Sequence, residues 1–271
     1  MEESVFEKLP TGKPHISFSE LKDWKECSFR HKLKFVDKLV EDRPGVHMDF
    51  GTACHSACEN FLKTGKMDLG VFKKKLHELW TEHAKIAPEE FTVAAFKQFA
   101  KEGLGILPEV PPWFDKTFPG WEFIDAEHYL YEPIEGHPHA FKGFVDCIIK
   151  APGLRGKTLV WMIDFKTCGW GWATQNKGDE LVKMQLVLYK NFWSKKTDFE
   201  TKDIRCAFVL LKRTAKPDSR VELVQASVGE VTTARSLAVV NNMIHSVKRG
   251  AAIKNRNSCK FCDFFETPHC T

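Results

Sequence analysis

Apolar residues recur with a helical period through most of the first hundred residues. This period, the capping pattern Ser-Phe-Ser-Glu that begins at Ser17 and the stop signal at Gly65 together predict a series of helices. They span 17–25, 28–35, 49–63, 68–84 and 88–103, and a connection interrupted by Pro and Gly follows over 105–120. The N-terminal part of the chain is therefore expected to be helical.

The middle of the chain changes to the alternation that is typical of strands. Strands are predicted over 121–134, 141–150 and 159–167, then a helix over 180–193, strands over 204–212 and 220–226, and a helix over 229–248. This order favours an α/β fold with a central mixed β-sheet flanked by helices. We expect one integrated domain in three parts, with a helical region over 1–120, a core over 121–250 and a cysteine-rich tail over 251–271.

Two of the predicted strands carry an unusual set of charges. Asp146 lies on the first, Asp164 and Lys166 lie on the second, and a turn with Pro and Gly separates them. Side chains two apart on a strand share a face, so Asp164 and Lys166 point the same way and Asp146 can lie beside them. Such a face can hold a hard divalent cation next to a charge-stabilising group. Asp-x-Lys alone, however, more often marks a partly buried salt bridge.

Composition and charge leave the function open. The chain has 271 residues, of which 43% are hydrophobic and 28% charged, as in ordinary globular proteins. It contains no apolar run of membrane-spanning length and its N-terminus lacks a signal pattern, so a cytoplasmic protein without a membrane partner is expected. The net charge of +4 is too small to indicate nucleic acid by itself. No G-x-x-x-x-G-K-[ST] loop is present, which argues against a motor of the usual kind.

Two helices carry further candidates. Gln185 and Tyr189 are four residues apart and share one helical face, and His55 lies on a helix with small neighbours. Taken singly, Gln185 and Tyr189 fit an amphipathic helix packed on a sheet, and His55 fits a structural histidine. The order His55, Asp146, Asp164-Phe-Lys166 and Gln185-x-x-x-Tyr189 is much less expected by chance.

This ordered set, with Gly143 three residues before Asp146, resembles the RecB-like branch of the PD-(D/E)XK nuclease superfamily. The resemblance implies hydrolysis of DNA phosphodiester bonds with Mg²⁺ or Mn²⁺. Asp146, Asp164 and the main-chain carbonyl of Phe165 would hold the metal, with His55 as a further ligand.

The same resemblance assigns roles to the remaining residues. Lys166 would orient or deprotonate the attacking water, or stabilise charge on the phosphate. Gln185 and Tyr189 would position Lys166 or the scissile strand. Glu127 would be an outer metal ligand, although a solvent-facing strand residue is equally plausible, and we rank it below the others.

Four of the nine cysteines form a second set. Cys259-x-x-Cys262 with Cys270 soon after is typical of a metal site that needs a fourth thiolate. Cys27 supplies it in the pattern of the CRISPR-associated and AddB-type iron–sulfur exonucleases, which this chain resembles. The resemblance implies a structural iron–sulfur cluster, 4Fe–4S being favoured, that fixes the tail to the first helical region. A zinc site is the alternative, and His269 could substitute for Cys270.

The resulting hypothesis is an exonuclease acting on single-stranded or frayed DNA ends in a bacterium, an archaeon or a virus-infected host cell, with a helicase or recombination partner. Trp170 and Trp172 could stack on bases, and Arg30 could line a strand entry channel. The alternatives are a structure-selective endonuclease on the same fold and a non-catalytic subunit that binds DNA or serves in assembly.

Overall fold

The structure is a computed structural model that describes residues 5–39, 44–153 and 156–270. Its helices are α1 (Phe18–Glu26), α2 (Ser28–His31), α3 (Val46–Thr64), α4 (Leu69–His83), α5 (Val93–Ile106), α6 (Val110–Thr117), α7 (Thr174–Gly178), α8 (Glu180–Ser194) and α9 (Glu230–Lys248). A π-helical turn (Lys32–Val36) continues α2, and 3-10 turns span Leu107–Glu109, Thr201–Asp203 and Arg256–Phe261. Within the described residues no helix is both long and apolar enough to cross a bilayer.

The strands are β1 (His15–Ser17), β2 (Glu122–Pro133), β3 (Ala140–Pro152), β4 (Thr158–Cys168), β5 (Ile204–Lys212) and β6 (Val221–Ala226). They form one mixed sheet in the order β1-β3-β4-β5-β6, with β2 also paired to β3. The β1–β3 and β4–β5 pairs are parallel and the other pairs are antiparallel. The α/β fold with a central mixed sheet flanked by helices is confirmed.

The sheet separates two hydrophobic cores. Helices α3 to α6 pack on one face, against residues such as Ile149 and Ile163, and we call this the α3 face. Helices α8 and α9 pack on the other, against Ile148 and Met162, and we call this the α8 face. Because successive residues of a strand point to opposite faces, the near-continuous apolar runs of β3 and β4 fill both cores.

Most of the predicted elements are present, with a few corrections. Ser17 caps α1 as expected, its side chain accepting from the Glu20 N–H. Helix α5 begins at Val93 rather than at residue 88, because Thr92 provides its N-cap. The expected connection over 105–120 contains helix α6, since prolines are tolerated in the first turn of a helix. The short strand β1 was not predicted.

Candidate active site

The candidate site lies where β3 and β4 separate. Their pairing ends at Cys147 and Ile163, after which β3 runs beside β1 while β4 continues along β5. In the gap, the backbone N–H of Phe165 donates a 2.7 Å hydrogen bond to Oδ2 of Asp146. The carboxylate takes the place of a strand partner for this N–H, and it is thereby held at the point of separation.

Three potential metal ligands converge beside this point. The ligand atoms of His55, Glu127 and Asp146, which we call the ligand group, all lie within 4.8 Å of one another. His55 Nδ1 is 3.4 Å from Asp146 Oδ2. The His55 ring also lies beside the Phe165 ring, with centroids 6.2 Å apart, which places Phe165 at the edge of the group. Two carboxylates and an imidazole are a donor set that fits Mg²⁺ or Mn²⁺.

Glu127 enters the ligand group through an unusual backbone conformation. Its φ is +53° in the middle of β2, a left-handed region that costs about 1–2 kcal/mol for a residue with a Cβ. On the paired strand, Val145 packs on the α8 face and Cys147 on the α3 face, although residues two apart normally share a face. The face of the sheet to which alternate side chains of β2 and β3 point therefore switches at Glu127 and Asp146. Both carboxylates approach His55 on α3.

A second chain of contacts runs from β4 to α8. Lys166 Nζ lies 2.7 Å from Asp164 Oδ2 and donates a 3.1 Å hydrogen bond to Gln185 Oε1. Gln185 Nε2 in turn donates to the Tyr189 hydroxyl at 3.2 Å. The ammonium group of Lys166 is thus held between a buried carboxylate and an amide whose own orientation is fixed.

The electrostatics of the site favour a bound cation. Burial, and then repulsion from Asp164, raises the pKa of Asp146 well above its ordinary value. Burial, followed by repulsion from other carboxylates, also raises the pKa of Glu127. Burial lowers the pKa of His55, which keeps its ring neutral and able to bind a metal. For Lys166, burial acts to lower the pKa, but the interactions with Asp164 outweigh it and the pKa is raised.

The expected site residues lie close together, but the structure divides them between two sets of contacts in a way that the resemblance did not imply. Among the described residues, the ligand group contains Glu127 in addition to Asp146 and His55, whereas Asp164 contacts Lys166. The approach of Glu127 to His55 and Asp146 could not be predicted from the sequence, because alternation along a strand gives no sign of a left-handed residue. No glycine or asparagine marks the position.

All four cysteines of the second set line one cavity. Cys27 lies at the start of α2 and the others, Cys259, Cys262 and Cys270, come from the C-terminal tail. Among the described residues, no three of these sulfur atoms lie within 4.8 Å of one another. Two backbone N–H groups, those of Arg30 and Asn255, each lie 3.4 Å from the Cys27 sulfur.

The tail is also joined to the first helices by conventional hydrogen bonds. Asn255 Nδ2 and the Ser258 hydroxyl donate to the Glu26 carbonyl at 2.8 and 2.9 Å. The backbone N–H of Ile253 donates to the Ser28 hydroxyl at 2.8 Å. The contact between chain ends that the cysteine pattern predicted is therefore present.

The weaker nucleic-acid candidates occupy different environments. Trp170 is 82% exposed in the loop that follows β4. Trp172 packs against Phe208, with ring centroids 5.0 Å apart, so its ring belongs to the α8-face core. Arg30 makes ion pairs with Asp23 and Glu26 and lines the cysteine cavity.

The chain matches one protein-family model and has similarities to solved structures. The family model described as the PD-(D/E)XK nuclease superfamily matches residues 15–267. A crystal structure from Eubacterium rectale, of a protein provisionally named an exonuclease, is similar with a TM-score of 0.56 and 18% identity over 92% of this chain and 86% of that chain. The structure of SSO0001 matches with a TM-score of 0.32 and 15% identity over 91% of this chain and 93% of that chain. No curated protein matches the chain.

Proposed function

This chain belongs to the PD-(D/E)XK nuclease superfamily, and from that premise we propose that it is a metal-dependent deoxyribonuclease that degrades DNA from single-stranded or frayed ends. One observation carries the proposal: the ligand group and the Lys166 contacts form one connected site. The backbone N–H of Phe165, which lies between Asp164 and Lys166 on β4, donates to Asp146 at 2.7 Å, and Asp164 itself contacts Lys166. A donor set for a hard cation beside a buried ammonium group suits phosphodiester hydrolysis.

His55, Glu127 and Asp146 would hold Mg²⁺ or Mn²⁺, with Asp164 and the Phe165 carbonyl as additional donors. A divalent cation in this position supplies Lewis acidity to the scissile phosphate and to the attacking water. The fit rests on the convergence of acidic side chains whose pKa values are raised, since a cation relieves both their burial cost and their mutual repulsion.

Lys166 acts as a fixed positive charge beside the phosphate. Its raised pKa keeps it protonated at neutral pH, so it stabilises negative charge that develops on the phosphate rather than removing a proton from water. Asp164 and Gln185 hold the ammonium group in place, and Tyr189 holds Gln185. Such preorganisation lowers the cost of reorienting dipoles during the reaction.

Sequence-specific internal cleavage is disfavoured because the sequence shows no recognisable DNA-reading module. The sequence also contains no P-loop motif of a motor. A helicase or recombination partner would then supply unwound ends. The exposed ring of Trp170, which follows β4 directly, could contact bases of the displaced strand.

End-labelled linear DNA and covalently closed single-stranded circles test this proposal together. We expect Mg²⁺- or Mn²⁺-dependent release of nucleotides from linear strands, with the circles left whole. Asp146→Ala and Lys166→Ala should each reduce the rate by about 100-fold or more, the usual cost of removing a stabilising charge. Lys150→Ala is the matched control, since this β3 lysine pairs with Glu122 at the surface. Cut circles would establish the endonuclease alternative, and absence of any metal-dependent cleavage would leave the non-catalytic one.

For the cysteine cavity we propose a 4Fe–4S cluster bound by Cys27, Cys259, Cys262 and Cys270. In a tetrahedral zinc site with Zn–S bonds of about 2.3 Å, the sulfur atoms are roughly 3.8 Å apart. Among the described residues no three of these sulfurs lie within 4.8 Å of one another, an arrangement that a polynuclear cluster accommodates without drawing them so close. The N–H groups directed at Cys27 would stabilise a thiolate ligand. The role of the cluster would be structural, because it would fasten the tail to α2.

A further inference from the structure

Two exposed aromatic rings lie side by side on the sheet close to the ligand group. Tyr129 on β2 and Phe144 on β3 are direct cross-strand partners, 46% and 45% exposed, with ring centroids 5.1 Å apart. Lys142 Nζ lies 5.8 Å from the centroid of the Tyr129 ring. Adjacent large rings that remain half exposed beside a candidate site, rather than in a core, call for a functional explanation.

The rings lie on the same side of the sheet as the ligand group. Gly143 and Val145 are turned to the α8 face, where a Cβ at Gly143 would meet the Tyr189 ring. Phe144, between them, therefore points to the opposite face together with Tyr129. Glu127 and Asp146 also approach that side, because their partner His55 lies on α3.

Spacing along the strands places the rings close to the ligand group. Tyr129 is two residues from Glu127, and Phe144 is two residues from Asp146. At a rise of about 3.3 Å per residue, the rings begin roughly 7 Å from the ligand group. A nucleic acid strand whose scissile phosphate lies at the ligand group therefore presents a neighbouring nucleotide to the rings.

We propose that Tyr129 and Phe144 form a stacking platform for an unpaired base next to the scissile phosphate, and that this platform makes the site selective for single-stranded DNA. The inference rests on the proposed nuclease function and specifies its substrate. Aromatic rings stack on any base, because every base has an exposed π-face once it is unpaired. In a duplex those faces are covered except at the ends. Lys142 adds a positive charge that attracts the strand backbone.

Binding to single-stranded oligonucleotides provides the first test, with fluorescence anisotropy as the readout and Lys166→Ala as the background so that the DNA stays intact. Tyr129→Ala and Phe144→Ala should each weaken binding roughly five- to 150-fold, the range for loss of one base–aromatic stack. Tyr129→Phe and Phe144→Tyr retain a ring and should bind as the parent does. Phe123→Ala is the matched control, because Phe123 is a 39% exposed aromatic residue on the same strand as Tyr129 but outside the platform.

A scan with abasic nucleotides provides the second test. In the parent, removing one particular base should weaken binding, and this sensitivity should disappear in the Tyr129→Ala/Phe144→Ala double variant, as expected for a coupled pair. Equal affinity of parent and double variant, or unchanged sensitivity to the missing base, would overturn the platform. Such a result is also what a protein occupant of these rings would give.

These outcomes separate the platform from the nuclease. If the chain cleaves DNA while the ring variants are unaffected, only the platform is wrong. If the chain binds DNA through the rings but never cleaves it, the platform stands and the nuclease proposal is wrong. If the chain neither binds nor cleaves single-stranded DNA, both are overturned.

Discussion

Gly143 and Tyr189 are packed so closely that a Cβ at position 143 would lie 2.5 Å from Cε1 of the tyrosine ring. Helix α8 thus rests directly on β3 at the strand position three residues before Asp146. Because Tyr189 holds Gln185 and Gln185 accepts from Lys166, this contact helps to set the position of the ammonium group. The glycine is needed here for close approach, and no positive φ is involved.

Gly143→Ala is accordingly expected to displace the Tyr189 ring and, through Gln185, to disorder Lys166. Overpacking of this kind costs about 1–3 kcal/mol of the free energy of unfolding. We expect kcat to fall more than KM rises, because binding of the DNA backbone does not depend on Lys166 alone. Urea denaturation and steady-state nuclease assays measure the two effects.

The matched control for this variant is Gly178→Ala, since a Cβ at Gly178 meets nothing within 4 Å. It should leave both stability and kcat close to those of the parent. Full activity of Gly143→Ala would show that α8 can shift without consequence for Lys166.

Much of this arrangement could be predicted from the sequence. The spacing of Asp164 and Lys166 fixed their common face, and the four-residue spacing of Gln185 and Tyr189 fixed theirs, because helical and strand periods are local properties. Contacts between distant segments were harder to predict. That His55 would meet Glu127 depends on how α3 crosses the sheet, which no local pattern encodes.

The exposure of the Tyr129 and Phe144 rings was hard to predict for a similar reason. Alternation predicted a strand around Tyr129 but not which face would remain uncovered. Which face remains uncovered depends on the switch of side-chain direction in β2 and β3 at Glu127 and Asp146. This switch is a backbone feature rather than a pattern of residues. The residue types of the site were therefore easier to predict from the sequence than the face of the sheet on which their side chains lie.

The left-handed conformation of Glu127 predicts an uncommon order of stabilities. Glu127→Gly should be more stable than Glu127→Ala by about 1 kcal/mol, because glycine adopts a φ of +53° without steric cost. Elsewhere in a strand the opposite order is expected, since glycine loses more conformational entropy on folding. Denaturant unfolding of both variants in EDTA measures the difference.

Position 125 on the same strand supplies the control, as its residue does not have a positive φ. Asp125→Gly should be less stable than Asp125→Ala. Both Glu127 variants should also show a smaller thermal stabilisation by Mn²⁺ than the parent. A more stable Glu127→Ala would mean that the backbone at this position is not left-handed in solution.

Asp146 predicts a dependence of stability on pH and metal. Its pKa in the folded chain is raised above the ordinary value of 3.8, so without metal the folded state favours the protonated carboxyl group. The contribution of this group to stability is complete below that ordinary value and is lost as pH rises through the folded-state pKa. Asp146→Asn removes the ionisation and should raise the metal-free Tm by about 2–4 °C at neutral pH, equivalent to roughly 1 kcal/mol.

With Mg²⁺ the order should reverse, because the ion binds the ionised carboxylate and stabilises the parent more than Asp146→Asn. The stabilisation of the parent by Mg²⁺ should also grow as pH rises. Differential scanning fluorimetry between pH 5 and 8, with and without Mg²⁺, measures both effects, and Asp125→Asn is the control. Because His55 contacts Asp146, the difference in Tm between parent and variant reports the coupled titration of the two groups. An equal rise in Tm with Mg²⁺ in the two proteins would show that Asp146 is not a metal ligand.

The cysteine cavity predicts the colour and the metal content of the protein. Chain purified without oxygen should be brown, with broad visible absorbance and about four iron and four sulfide ions per molecule. Cys259→Ala should lose most of the iron, lower the Tm and make the tail after Gly250 sensitive to protease, because the cluster joins this tail to Cys27. Cys168→Ala is the matched control, since Cys168 is a partly exposed cysteine outside the cavity, and its iron content should equal that of the parent.

A colourless protein with about one zinc ion per chain would establish a mononuclear site instead. Such a site would require the four sulfurs to move to within about 4 Å of one another when the metal binds.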